Sequence, residues 1–405
     1  MKKILKFISY FVVIISFAFS ISFAQKVETI DGVRVVHNGK TGNWGKNPKV
    51  LLELVRTIGT IEAEDDDFLF YLPSDIALDS QGNMYILDSG NHRIQKFTSG
   101  GQYIVTIGNK GQGPGEFVYP LSLDIDSKGY LYISDPGNQR VQVLKPDGKD
   151  HKTISFAEDA AGALRVSEPG FMIMGRGAGL FSFSMPLYEE NKELPKIIRV
   201  LNSDGDVERN FGDQRDYKDF LLNRMGNRFH FTVDKDKNIY VSFDYQNRIE
   251  KYSPDGKTLW KVDRELNYST EPPKTKSGIK REGGMVRMHE PQMNRCSSGI
   301  AVDNKGRIWI VSLIRQLKEG EGVNIGVRVA RGANGARSLG VSVSGNTDTR
   351  ETDMYQLEVY APDGILLGKL ALNQFVDDVR IINNRLFLLD RMRGMQYYEY
   401  KIIEN

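Results

Sequence analysis

Five short turns recur along the chain and decide its fold: Ser99-Gly100-Gly101, Lys145-Pro146-Asp147-Gly148, Asn202-Ser203-Asp204-Gly205, Ser253-Pro254-Asp255-Gly256 and Ala361-Pro362-Asp363-Gly364. Each turn follows a short segment in which apolar and polar residues alternate, as they do in a β-strand. Proline presets φ at the second turn position, aspartate hydrogen-bonds the local backbone, and glycine accepts a positive φ. Each turn therefore predicts that the chain reverses into an antiparallel neighbour.

The spacing of these turns predicts the architecture. The first four turn glycines lie 47, 57 and 51 residues apart, which is the length of one four-stranded propeller blade with its loops. A hairpin pattern also recurs, at residues 76–88, 123–135, 164–174, 231–244, 300–312 and 379–390. We predict an all-β fold, a six-bladed β-propeller of four-stranded antiparallel blades.

The last blade lacks a fourth strand, because the chain ends soon after its third. Residues 51–59 end in Thr57-Ile58-Gly59, the same three residues that end the fourth strand of blade 1. We therefore expect this N-terminal strand to complete the last blade. Such closure removes the exposed edge that an open sheet would carry.

The repeat contains a polar signature. Blade 1 carries Asp88-x-x-Asn91-His92-Arg93-Ile94-Gln95, blade 2 carries Asp135-x-x-Asn138-Gln139-Arg140-Val141-Gln142, and Gly108-x-x-Gly111-x-Gly113-x-Gly115-x-Phe117 lies between them. With these motifs, residues 50–403 resemble the NHL-repeat family of six-bladed propellers, whose members are binding scaffolds or enzymes. Blade 4 keeps Asp244, Asn247 and Arg248 with one residue fewer. We interpret His92 and the signature side chains as structural.

The N-terminus predicts export. Lys2, Lys3 and Lys6 precede an uncharged apolar stretch, and Ser22-Phe23-Ala24 is a suitable cleavage site. We divide the chain into a signal peptide (1–24), an N-terminal lead-in (25–49) and the propeller (50–405), and expect a periplasmic or extracellular location. The alternative is an uncleaved membrane anchor, because the stretch is close to the length of a membrane span.

Charge and cysteine content exclude several classes of function. The full chain has 54 basic and 52 acidic residues, and removal of residues 1–24 leaves 51 and 52. This balance provides no overall attraction to nucleic acid or to an anionic membrane, so we expect neither as a partner once the signal is cleaved. The single cysteine, Cys296, excludes an intrachain disulfide and is interpreted as a buried structural residue.

Two insertions interrupt the repeat, at residues 264–296 between blades 4 and 5 and at residues 313–353 inside blade 5. Loops between blades and loops between second and third strands emerge at the same end of a propeller, so both insertions are expected on one face. The second insertion predicts a projecting hairpin. We expect five arginines of the insertions to contact a protein, peptide or glycan: Arg281, Arg287, Arg328, Arg331 and Arg337. The alternative is that the hairpin is a neutral surface feature.

The mouth of the central channel is the second candidate site. Alignment of the first strands places six residues at one level: Asp75, Ser122, Ala163, His230, Gly299 and Asp378. Asp75, His230 and Asp378 are candidate ligands for a divalent metal, and Arg228 is a candidate for holding an anionic group. We predict an exported scaffold that binds a protein, peptide or glycan; the sequence firmly implies no cofactor and leaves a divalent metal open. The alternative is a metal-dependent hydrolase or lyase at the channel mouth.

Overall fold

The computed structural model describes residues 25–62, 65–156, 162–168, 171–175, 193–273, 278–282, 285–289, 292–331 and 337–405. For residues 167, 278–282, 285–289, 327–331 and 337–339 only the backbone is described. The signal peptide predicted at residues 1–24 lies outside these ranges.

Six blades of four antiparallel strands follow one another along the chain, five as four-stranded sheets and blade 4 as part of a six-stranded sheet, which confirms the predicted six-bladed propeller. Blade 1 comprises Pro73–Leu78, Met84–Asp88, Arg93–Phe97 and Tyr103–Ile107. Blade 2 comprises Ser122–Ile125, Leu131–Asp135, Arg140–Leu144 and Asp150–Ser155. Blade 3 comprises Ala163–Glu168, Phe171–Gly175, Ile198–Leu201 and Val207–Phe211.

The second half of the ring has the same order. Blade 4 comprises Phe229–Val233, Ile239–Phe243, Ile249–Tyr252 and Thr258–Arg264. Blade 5 comprises Ser297–Val302, Ile308–Leu313, Tyr355–Tyr360 and Leu366–Ala371. Blade 6 comprises Asp378–Ile382, Arg385–Asp390, Gln396–Glu404 and, from the N-terminal side, Val50–Ile58.

The five recurring turns join the third and fourth strands of blades 1–5. In each of them the turn glycine donates its backbone N–H to the carbonyl three residues earlier, as Gly148 does to Lys145 and Gly256 to Ser253. Gly148 and Gly256 have φ values of 81° and 87°, and the strand register shifts just before each of these turns. A type I turn followed by a left-handed glycine and a bulge explains why this position recurs as glycine.

The N-terminal strand closes the ring. Val50–Ile58 pairs antiparallel with Gln396–Glu404, with Val50 opposite Glu404 and Ile58 opposite Tyr397. The predicted closure is therefore confirmed, and no blade is left one strand short. Val50 and Ile58 are buried at the two ends of this strand.

Residues 25–38 of the predicted lead-in form a hairpin that extends blade 4. Gln25–Ile30 pairs with Val33–Asn38, and the latter strand runs parallel to Thr258–Arg264. Asn38 donates to the carbonyl of Gly364 at 3.0 Å and accepts from the N–H of Leu366 at 2.8 Å. The hairpin therefore covers the outer edge of blade 4 and joins it to blade 5.

The other elements lie in loops. The first insertion contains a hairpin of Gly278–Glu282 and Met285–His289, and the second contains a hairpin of Val323–Arg331 and Arg337–Gly345. Each forms a two-stranded sheet of its own, so the two insertions account for the long interval between the last two turns. The short elements are a bridge of Asn109–Lys110 with Glu116–Phe117, the 3-10 helices Ser89–Asn91 and Pro136–Asn138, and the helix Phe220–Gly226.

The core lies between neighbouring blades. The second strands of blades 1, 2, 4 and 5 are buried along their whole length, because both of their faces pack against a neighbouring sheet. One buried ion pair also crosses between blades: Nη1 of Arg264 in blade 4 lies 2.9 Å from Oε2 of Glu358 in blade 5. Cys296 is buried beside this pair, as expected for a structural cysteine.

The signature residues of blades 1 and 2 are structural, as predicted. Asp88 accepts from the backbone N–H of Tyr71 at 2.7 Å and from the side chains of Asn91 and Arg93, both at 2.9 Å. Asp135 has the equivalent three donors in blade 2. Each aspartate therefore fastens the loop that enters its blade to the turn between the second and third strands.

Candidate functional site

A cavity of about 470 Å³ opens at the channel mouth. Five of the six aligned positions line it, at or near the start of the first strands of blades 1, 2, 3, 4 and 6: Asp75, Ser122, Ala163, His230 and Asp378. The sixth, Gly299 of blade 5, lies against Asp378, and a Cβ atom there would lie 2.9 Å from the Oδ1 atom of Asp378. Any side chain at Gly299 would therefore collide with this carboxylate.

Both insertions contribute to the cavity wall. We call Val323–Arg331 and Arg337–Gly345 with their connection the arm; Val323, Asn324 and Ile325 of the arm line the cavity, and so does Arg295 from the end of the first insertion. The two insertions therefore lie on one face, as their topology predicts. The projecting hairpin is also confirmed.

The arm crosses the mouth from blade 5 to the opposite side of the ring. The hydroxyl group of Tyr71, before blade 1, donates to the carbonyl of Val341 at 3.2 Å, and Tyr119, before blade 2, hydrogen-bonds the backbone of the same residue. Val343 packs against the apolar cluster between blades 6 and 1. At its base, Arg315 binds Glu321 through two hydrogen bonds of 2.8 Å.

Asp75 forms part of the cavity floor, and protein donors occupy its carboxylate. Its Oδ2 atom accepts from the hydroxyl of Ser122 at 2.7 Å, from Nη1 of Arg165 at 3.0 Å and from the N–H of Leu123 at 3.1 Å. Nη1 of Arg380 lies 3.4 Å from its other oxygen. Asp75 therefore links blades 1, 2, 3 and 6 and has little capacity left for a ligand.

His230 lies between two carboxylates. Its Nδ1 atom is 3.3 Å from Oδ1 of Asp378, and its Nε2 atom is 3.3 Å from Oδ1 of Asp244. Burial acts to raise the pKa of Asp378, but the opposing charge and hydrogen bond of His230 hold that pKa below its ordinary value. Both ring nitrogens of His230 therefore lie close to acidic groups of the protein.

The geometry gives no support to the predicted metal site. His230 and Asp378 are adjacent, whereas Asp75 is directed at arginines. Within the described ranges, no group of three or more His, Cys, Asp or Glu side chains is arranged to hold a metal ion. The Asp75, His230 and Asp378 triad stays a prediction from sequence.

Two arginines and one aspartate form the wall on the side of blades 4 and 5. Nη2 of Arg228 lies 3.6 Å, and Nη2 of Arg295 lies 3.8 Å, from Oδ2 of Asp244. The Asp244 side chain is 1% exposed, while those of Arg228 and Arg295 are 26% and 23% exposed. A buried carboxylate therefore lies behind two guanidinium groups that reach the cavity.

Asp244 is the functional candidate that the sequence reasoning missed, because it occupies the signature position of blade 4. There the signature partners are redirected: Asn247 donates to the carbonyl of Arg264 at 2.6 Å, and Arg248 binds Glu250 at 2.8 Å. Asp244 keeps none of the side-chain donors that its counterparts have in blades 1 and 2. The sequence signal for this difference is that the signature turn of blade 4 is one residue shorter than those of blades 1 and 2.

The five arginines predicted in the insertions lie on the two inserted hairpins. Arg281 and Arg287 are in the strands Gly278–Glu282 and Met285–His289, and Arg328, Arg331 and Arg337 are in the arm. Their side chains lie outside the described part of the chain, so their predicted contacts with a partner stay predictions. The turn predicted at residues 332–335 also lies outside it.

Comparisons with known proteins agree on the fold. A protein-family model described as a 6-bladed beta-propeller matches residues 61–277, more than half of the chain. A member of the DUF4221 family from Bacteroides vulgatus superposes with a TM-score of 0.55 at 9% identity, covering 88% of this chain and 99% of that one. A protein from Bacteroides fragilis that is inferred to be exported superposes with a TM-score of 0.52 at 9% identity, covering 92% and 99%.

These likenesses extend to the fold alone. No curated protein matches the sequence, and the resemblance to NHL repeats stays a prediction beside the broader six-bladed family. Among the described residues, no helix has the length and apolar character needed to cross a membrane.

Proposed function

Because this chain belongs to the DUF5128 family of six-bladed β-propellers, we propose that it is an exported binding protein that holds a segment of a protein, peptide or glycan in the cavity beneath the arm. One observation carries the proposal: the arm leaves blade 5, spans the channel mouth and is held by Tyr71 and Tyr119 on the far side. A long insertion held in this way over a cavity is a typical feature of a binding loop on a rigid scaffold.

The size of the cavity suits a small segment. Its volume of about 470 Å³ is within the usual range for sites that enclose a small ligand or a short piece of a larger one. Entry is limited by the arm on one side and by the end of the first insertion on another. We therefore expect the partner to insert an end or a short extended segment.

The polar groups at the mouth favour binding over catalysis. A general base must have a nitrogen or oxygen free to reach the ligand, and both nitrogens of His230 face Asp378 and Asp244. Asp75 is occupied by Ser122 and Arg165. The arrangement is that of a preformed charged wall, so the metal-dependent hydrolase or lyase is not the function that this geometry favours.

Removal of the arm tests the proposal. The backbone N–H of Asn346 lies 3.0 Å from the carbonyl oxygen of Gly322, so residues 323–345 can be deleted and Gly322 joined to Asn346 without strain on the blade. Wild-type protein and the deletion variant are applied to arrays of short peptides and oligosaccharides, and the ligands bound are measured again by titration calorimetry.

We expect the deletion to weaken binding at least about tenfold with a single cooperative unfolding transition retained. The matched control is Lys128→Ala, in a turn between first and second strands at the opposite end of the propeller; it retains wild-type binding. Equal affinity with and without the arm, or no ligand bound by the wild-type chain, would overturn the proposal.

A further inference from the structure

We propose that the group held in this cavity is a carboxylate, and that Arg228 and Arg295 bind it; this inference rests on the proposed function. The chemistry is that of a single negative charge on a small polar ligand. An acidic sugar and the free C-terminus of a peptide both supply it.

The fixed charges that line the cavity do not balance within the protein. Three basic side chains, His230, Arg228 and Arg295, surround the carboxylate of Asp244 at 3.3, 3.6 and 3.8 Å. Asp378 faces the other side of His230. Around the whole cavity, five arginines face four aspartates, so one additional anion would complete the pairing: Arg165, Arg224, Arg228, Arg295 and Arg391 against Asp75, Asp244, Asp377 and Asp378.

Hydrogen-bonding capacity also remains. A guanidinium has five N–H donors; Arg295 uses its Nε atom on the carbonyl of Ser297 at 3.1 Å. Within the described residues, the Arg228 side chain makes no hydrogen bond and is ion-paired with Asp244 at 3.6 Å. Both guanidinium groups therefore retain donors that a ligand reaches from the cavity.

Asp244 holds the two arginines in place without occupying their N–H donors. Its side chain is 1% exposed, and its Oδ1 atom has no hydrogen-bond partner among the described residues. At 3.6 and 3.8 Å the arginine–aspartate pairs are attracted but not hydrogen-bonded. Asp244 is thus a positioning residue that reduces the repulsion between the two arginines and leaves their N–H groups for the ligand.

A carboxylate fits this wall better than other charged groups do. A cationic group would face two guanidinium groups, and a phosphate dianion would exceed the single charge that is missing. The planar guanidinium fork matches the two oxygens of a carboxylate. Asn324 and Tyr245, which also line the cavity, supply neutral donors and acceptors for the rest of a polar ligand.

Matched pairs of acidic and neutral probes test the inference by titration calorimetry on the whole chain. The sugar pair is methyl glucuronide and its methyl ester; the peptide pair is acetyl-Ala-Ala with a free carboxylate and with a terminal amide; inorganic phosphate is the fifth probe. We expect at least one acid to bind about tenfold more tightly than its neutral partner. The probe pair that shows this preference, sugar or peptide, identifies the source of the carboxylate.

The variants separate binding from folding. Arg228→Gln and Arg295→Gln should each abolish the preference for the acid, and Arg228→Lys should retain part of it because the charge remains. The matched control is Arg209→Gln, which removes an exposed arginine from the outer strand of blade 3 and should leave the preference intact. Thermal midpoints are recorded for all variants.

Three results would overturn the inference. They are equal affinity for acid and neutral probes, tighter binding of phosphate than of either acid, and an acid preference that survives in both Gln variants. In each case the arm-deletion experiment still decides the proposed function separately. If the arrays yield ligands that bind beneath the arm but carry no carboxylate, the binding function stands and the carboxylate inference is wrong.

Discussion

The hydroxyl group of Tyr71 donates a 3.2 Å hydrogen bond to the carbonyl oxygen of Val341, 270 residues further along the chain. This bond joins the loop that enters blade 1 to an arm that belongs to blade 5. Together with the hydrogen bond from Tyr119, it makes the arm part of the cavity wall. A hydrogen bond of this kind contributes about 1 kcal/mol.

Loss of the Tyr71 hydroxyl is predicted to loosen the arm. Val343 packs against the cluster between blades 6 and 1, so the thiol of a Val343→Cys variant is shielded from a thiol-labelling reagent while the arm is closed. Cys296 is buried and does not contribute to the labelling. Adding Tyr71→Phe should speed labelling of that thiol about fivefold, the factor that about 1 kcal/mol gives. Tyr103→Phe, which removes a hydroxyl bonded to Thr106 in blade 1, is the control; equal rates in both would contradict the prediction.

His92 is predicted to make stability depend on pH. Its Nδ1 atom accepts from the N–H of Tyr119 at 2.9 Å, which requires a neutral ring, and burial, with a smaller effect of Lys110, lowers the pKa of His92 to about 4. The unfolded chain therefore binds this proton first, so the stabilisation is complete above about pH 6.5 and is lost as the pH falls toward 4.

The expected loss from His92 is about 2–4 kcal/mol. Urea unfolding at pH 7, 6, 5 and 4 should show it in the wild-type chain, and His92→Gln should flatten that part of the curve. His151→Gln, at an exposed position, should follow the wild-type curve. A pH dependence unchanged in His92→Gln would refute the assignment.

Two N-terminal deletions are predicted to affect unfolding differently: the shorter lowers stability, and the longer removes cooperativity. Removal of residues 25–48 deletes the hairpin on the edge of blade 4 and should lower stability by a few kcal/mol, roughly the burial of Val36 and a few hydrogen bonds. Removal of residues 25–58 also deletes the closing strand and opens blade 6. The larger deletion should abolish cooperative unfolding, which calorimetry measures; a cooperative transition in it would show that the ring does not need this strand.

The buried pair of Arg264 and Glu358 is predicted to be costly to break. Their side chains are 1% and 2% exposed, so Glu358→Gln leaves an unpaired buried charge and should cost about 3–5 kcal/mol. Replacing both residues, as Arg264→Met with Glu358→Gln, should cost less than the single change. Asp204→Asn, which breaks an exposed pair with Lys152, should change the urea midpoint little; a double variant less stable than the single one would contradict the argument.

Local patterns predicted the architecture because propeller blades are built from neighbours in sequence. Turn glycines such as Gly148 need a positive φ that their own tetrapeptide dictates, and the strands that they join follow directly. The closing strand was also predictable, because Thr57-Ile58-Gly59 repeats the end of a strand elsewhere in the chain. The hairpin at residues 25–38 was not predicted, because its partner strand lies more than 200 residues away.

The amino-acid sequence by itself determined the number of blades, the closure of the ring and the face that carries both insertions, since each depends on turns and alternation over a few residues. Only the tertiary structure decided what the polar residues at the mouth do. Asp244 and Asp88 occupy the same repeat position, yet Asp88 is fastened to Asn91 and Arg93, whereas Asp244 faces Arg228, Arg295 and His230. The physical reason is that a carboxylate takes its role from whichever cations packing brings within a few ångströms, and those come from distant segments of the chain.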